Sequence, residues 1–140
     1  MKLIALLCIV VIVSAVEQIK FQPKPERLQA VINNFAKPCV KNGADVYKLV
    51  AQLADASLSR DDDTNEFLYC FTKAAGYIKD DGHIIVDGIA GILGDHPLVE
   101  EMKESLRKCD EITKENHIQT VIAMNDCIAK NAPVRFVFSL

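Results

Sequence analysis

The sequence predicts an all-α fold of six short helices stapled by disulfides, on three observations. Apolar residues recur at three- and four-residue intervals along most of the chain and almost nowhere alternate. Four cysteines follow an N-terminal apolar run, spaced Cys39-x30-Cys70-x38-Cys109-x17-Cys127. The run itself reads as a secretory leader, which puts those cysteines in an oxidising compartment where an even count means disulfides.

In the leader, Lys2 precedes the unbroken apolar stretch from Leu3 to Val13, and Ser14-Ala15 gives a small-residue cut site before Val16. The stretch is about half of the roughly 20 residues a membrane span needs. Residues 1–15 are therefore expected to be a signal peptide, lost together with Cys8, and residues 16–140 a single secreted domain of the extracellular fluid with no membrane insertion. If the run were instead a buried first helix, the charged, Pro-rich segment Lys20-Phe21-Gln22-Pro23-Lys24-Pro25 would be drawn inside, at the cost of burying unpaired charge.

The elements follow in order. Leu28, Val31, Ile32, Phe35 and Cys39 form a first stripe, opened by Pro25, whose fixed backbone and missing N–H suit a first helical position. Val46, Leu49, Val50 and Leu53 form a second after the Asn42-Gly43 break. A third carries Phe67, Cys70, Phe71, Ala74 and Ile78; Asp61-Asp62-Asp63 and Thr64 suit its N-terminal dipole, and Lys79-Asp80-Asp81-Gly82 breaks it. Ile85, Val86, Ile89, Ile92 and Leu93 make a short fourth, interrupted by Gly88 and Gly91 and stopped at Gly94. Asp95 and Pro97 are expected to open a fifth bearing Leu98, Met102, Leu106 and Cys109. Asn116 is expected to cap a sixth with Ile118, Val121, Ile122 and Ile128 on its apolar side. After Pro133 an apolar tail runs Val134-Arg135-Phe136-Val137-Phe138-Ser139-Leu140.

Charge and motifs exclude more than they assign. The full chain has 16 basic and 19 acidic residues; without Lys2 the balance is 15 to 19, a net charge of −4, and no basic cluster fits nucleic acid. Catalytic signatures are missing: there is no Gly-x-Ser-x-Gly elbow, no His-Glu-x-x-His pair and no phosphate loop, so the chain is not expected to be an enzyme. Asp61-Asp62-Asp63 lacks the glycine and terminal glutamate of a calcium loop. Cys109, His117 and Cys127 lack the short cysteine spacing of zinc sites, so no metal and no cofactor is expected. Four cysteines allow three pairings, which the spacing alone leaves open.

The order of elements carries a resemblance. A cysteine ends the first helix, and another in the third is followed six residues later by Gly76 and then by Asp80-Asp81-Gly82. A further pair brackets the fifth and sixth helices. This resembles the insect odorant-binding protein family, which includes the pheromone and general odorant-binding proteins. Six-cysteine members carry two more cysteines, at the positions of Glu66 and Ile118, so the chain is similar to the minus-cysteine branch with two disulfides. The resemblance implies the pairs Cys39–Cys70 and Cys109–Cys127, six helices around a central apolar cavity, and a secreted carrier of small hydrophobic ligands (odorants, pheromones or fatty-acid-like molecules). Both departures fall on partners of one bond, so Glu66 and Ile118 are expected to face each other.

From periodicity and helix order, the cavity wall is expected to draw on Val86, Ile89, Ala90 and Leu93 of the fourth helix and on Leu98, Met102 and Leu106 of the fifth. Val121, Ile122 and Met124 of the sixth join them. Core and cavity wall share one period, so each of these positions fits either. Phe136 and Phe138 are the sharpest candidates: with Leu140 they sit at alternate positions, which lets an extended tail, residues 133–140, turn all three to one side as a wall or lid. Tyr47, Tyr69 and Tyr77 are candidate hydroxyl partners for a ligand, and His83, His96 and His117 are the candidate pH-sensitive groups. The partner expected is a small apolar ligand, with a receptor or a homodimer as macromolecular partners to seek. The competing reading is a secreted helical interaction module acting through its surface on a protein partner.

Overall fold

The computed structural model describes residues 17–41, 43–55 and 57–138. The expected leader and its Cys8, Asn42 of the second break, and Ser139 and Leu140 of the tail lie outside the described residues. Among the described residues six helices carry the fold. Helix α1, Pro25–Val31, has proline at its start and continues through a widened turn, Ile32–Ala36, in which the Lys37 N–H reaches back five residues to Ile32, and a tight turn, Lys37–Cys39. Helix α2 is Val46–Ala54, opened by the Asp45 carboxylate accepting the N–H groups of Tyr47 and Lys48 at 3.0 and 3.3 Å. Helix α3 is Asp62–Ala74, where Asp61 accepts the Thr64 N–H at 2.9 Å. Helix α4, Val86–Ala90, runs on through a tight turn, Gly91–Leu93. Helix α5 is Val99–Cys109 and α6 is His117–Asn131, the latter capped by Asn116 as expected, through the Gln119 N–H at 2.9 Å.

Two boundaries differ from the sequence expectation. The third stripe, read as far as Ile78, leaves the helix at Ala74: the Lys79–Gly82 turn reverses the chain, and Ile78 bridges antiparallel to Ile84. The fifth helix starts at Val99 rather than at Asp95 or Pro97. Residues ahead of it form a turn in which the His96 Nδ1 accepts the Leu98 N–H at 3.1 Å and its carbonyl accepts the Val99 N–H. The chain also contains two three-residue strands. β1, Ile19–Phe21, pairs in parallel with β2, Val134–Phe136, with Phe21 opposite Phe136. Part of the charged, Pro-rich segment that follows the expected leader thus clasps the tail, and each strand satisfies backbone groups through the other.

The disulfides are Cys39–Cys70 and Cys109–Cys127, with Cα separations of 5.8 and 5.7 Å. They tie the end of α1 to α3 and α5 to α6. Three apolar clusters surround the interior. One joins α4, α5, α6 and the tail; a second joins α1, α2 and α3; a third sets Leu58, Leu68 and Ile78 against Val121. Two glycines fix how closely the loops approach these clusters. A Cβ on Gly88 would collide with the Gly76 carbonyl, so α4 lies against the turn that follows α3. Gly82 has φ of +89°, and a Cβ there would lie 2.6 Å from the His117 carbonyl, which lets the loop cross the start of α6.

Helices α3 and α6 run antiparallel: Arg60, just before α3, pairs with Asp126 at 2.5 Å, and the Tyr69 ring meets the His117 ring at a tilt of 45°, centroids 4.5 Å apart. That register places Glu66 opposite a point within one turn of Ile118. Glu66→Cys with Ile118→Cys is expected to form a bond spontaneously on oxidative refolding, since such bridges need Cα atoms about 4.4 to 6.8 Å apart. Free thiols persisting in that variant, counted by alkylation and mass spectrometry, would show that the two positions do not face each other.

Candidate functional site

A cavity of about 800 Å³ opens where the three apolar clusters meet. Helix geometry builds most of its wall. Lys24, just before α1, and Arg27, Leu28 and Val31 on it stand three or four residues apart on one face. Leu68, Phe71, Thr72 and Ala75 repeat that spacing along α3, and Val121, Met124, Asn125 and Ile128 repeat it along α6. Val50 and Leu53 add a patch from α2, and Tyr77, Ile78 and Ile84 close the side between α3 and α4. The volume lies within the roughly 300 to 1,000 Å³ of small-molecule sites, and the mostly apolar wall with a few polar groups matches their chemistry.

Of the positions singled out from the sequence, Ile89, Leu93, Val121, Met124, Phe136 and Phe138 line the cavity. Val86, Ala90, Leu98, Met102 and Leu106 pack away from it in the cluster shared by α4, α5 and α6, and Ile122 packs beside Leu68 and Val121 in the third cluster. The split has a structural cause: α5 is covered on its apolar face by α4 and α6, so Met102, Leu106 and Cys109 are fully enclosed and none of its described residues reaches the cavity. The sequence reading also passed over the α1 to α3 half of the wall. Leu28, Val31, Val50, Leu53 and Phe71 were visible as stripes, but a stripe facing a void has the same period as one facing a neighbour.

The clasp closes one end of the cavity. Phe21 meets Phe136 edge to face, ring centroids 6.1 Å apart, and meets His96 the same way at 5.6 Å. All three line the cavity, as do Phe138 and the loop Gly94-Asp95-His96. Polar groups gather nearby: Lys24 and Arg27 bring positive charge, and Asp95 is the one acidic residue of the wall among the described residues. Thr72 is spent inside its own helix, donating to the Leu68 carbonyl at 2.6 Å. Burial holds the Tyr77 phenol above its ordinary range, with the nearby Arg27 charge opposing, so at neutral pH it is a neutral hydrogen-bond donor.

The other candidates for polar roles lie elsewhere. Tyr47 accepts from the Gln29 amide at 2.9 Å, and Tyr69 donates to the Asp80 carbonyl at 2.8 Å. His83 sits against Asp110 at 3.0 Å and Thr113 at 3.1 Å, and His117 against Tyr69, both away from the cavity. Among the described residues no group of three or more His, Cys, Asp or Glu could hold a metal ion, and no helix is long and apolar enough to cross a membrane.

Comparison with protein families matches residues 22–131 to the PBP/GOBP family, which covers all six helices. No curated protein matches the chain.

Proposed function

Because the chain belongs to the PBP/GOBP family, known for binding small odorant and pheromone ligands, we propose that it is a secreted carrier that takes small hydrophobic molecules into this cavity and releases them unchanged. The observation that carries the reading is the cavity of about 800 Å³, walled by the inner faces of three apolar clusters. A chain of ten methylenes buried there gains roughly 8 kcal/mol gross at about 0.8 kcal/mol each. Lost ligand freedom offsets part of that, so dissociation constants near micromolar or weaker follow, 1 μM corresponding to about 8.2 kcal/mol.

The test is displacement of N-phenylnaphthylamine, a neutral fluorescent probe, by a panel of apolar volatiles and lipids, with solvent extraction of protein purified from its own tissue. Saturable probe binding and a co-purifying small molecule support the carrier. A protein that neither binds the probe nor yields an extractable molecule, and instead co-purifies with a protein partner, would be a surface-acting interaction module.

Phe136 and Phe138 then act as the movable wall. Phe136→Ala combined with Phe138→Ala is expected to raise probe dissociation by roughly tenfold in stopped-flow release, the equivalent of about 1.4 kcal/mol. Far-UV helicity should stay unchanged, because these residues lie outside the helices. Loss of the helical signal with an unchanged release rate would make the tail structural core rather than a lid.

A further inference from the structure

The cavity's polar groups are not neutral on balance. Among the described residues the wall carries Lys24 and Arg27 against the single acid Asp95, while the full chain has a net charge of −3. Neither cation forms an ion pair with any described residue, although seven such pairs occur among other described residues. Asp95 forms none either. Tyr77 is the third member of the group. Of the three tyrosines, Tyr47 and Tyr69 have hydrogen-bond partners for their hydroxyls, whereas the Tyr77 hydroxyl has none among the described residues. Its ring is fixed edge to face against Phe71, centroids 6.2 Å apart, so the hydroxyl is held in place by packing.

Two cations and a phenol O–H are all donors; Lys24 and Arg27 are exposed to water, whereas Tyr77 is partly buried, and a partly desolvated donor without an acceptor is costly. A ligand that brings an acceptor removes that cost, and an anionic acceptor also takes the charge-assisted bonds of a guanidinium. We propose that the cavity selects amphiphiles with a carboxylate head, held by Arg27 with Lys24 and Tyr77, while the alkyl chain lies against Ile89, Leu93 and Met124. This rests on the carrier reading and narrows it from apolar ligands in general to long-chain carboxylates. Asp95 and His96, the latter beside Phe21, are the other titratable residues of the same wall among the described residues.

The experiment measures displacement of N-phenylnaphthylamine by dodecanoate, dodecanol and methyl dodecanoate near neutral pH. Dodecanoate is expected to bind about tenfold tighter than the other two, the margin one hydrogen bond to a charged group supplies. Raising the ionic strength should weaken dodecanoate alone. Lys24→Gln with Arg27→Gln, both exposed and outside the core, should erase the preference for the acid over the alcohol. Tyr77→Phe should reduce the preference severalfold. Equal displacement by acid and alcohol in the unaltered protein, or a preference that survives the double glutamine variant, overturns the head-group assignment while the carrier reading stands. Failure of the probe itself to bind the unaltered protein overturns both.

Discussion

Replacing Cys39 and Cys70 together by alanine is expected to lower the unfolding free energy by about 4 kcal/mol, read from urea melts with the second bridge intact. The bridge spans 31 positions and ties the end of α1 to α3 across the whole of α2. Its removal lets the unfolded chain expand without touching any hydrogen bond of the helices. Cys109–Cys127 spans 18 positions, so the same chain-entropy argument assigns it about 3 kcal/mol. The two loops do not overlap in sequence, which makes the losses close to additive. A protein without either bridge would lose about 7 kcal/mol, as much as the whole stability of many domains, roughly 5 to 15 kcal/mol. A loss below about 1 kcal/mol for the Cys39–Cys70 pair would contradict this account, because chain entropy alone predicts several times more.

Leu106→Ala is expected to cost about 3 kcal/mol of stability and leave ligand affinity unchanged. Leu106 is fully buried in the cluster of α4, α5 and α6, so truncation leaves a void its neighbours cannot refill. Ile89→Ala should behave in the opposite way. Ile89 belongs to the same cluster but faces the cavity, where part of its surface has no protein neighbour to lose, so the stability cost falls to about 1 to 2 kcal/mol and the affinity drops instead. Urea denaturation and probe titration on the two variants separate the cases. Equal loss of affinity in both would place Leu106 on the ligand side after all.

The contrast between Leu106 and Ile89 marks where the sequence stops being informative. Both lie on apolar stripes at helical spacing, and nothing local distinguishes a stripe that meets another helix from one that meets a void. Whether a residue is core or wall depends on what stands opposite, and opposite residues come from elements distant in the chain. Tyr77 makes the same point for a polar group: three tyrosines look alike in sequence, and only the positions of Gln29 and Asp80 relative to Tyr47 and Tyr69 show which hydroxyl is left over.

The sequence by itself determined the helices, because each is written in short-range terms: Pro25 at the head of α1, Asp61 and Asn116 as caps, glycines through α4. The cysteine spacing, read with the order of helices, was enough to imply the family and through it the two bridges. Tertiary structure alone decided the parallel clasp of Ile19–Phe21 with Val134–Phe136. A three-residue strand has too few positions to show an alternation, and its partner lies more than a hundred residues away. It alone decided which residues wall the cavity as well, since the space exists only where three separately packed clusters fail to close on one another, a property of their relative placement that no local pattern encodes.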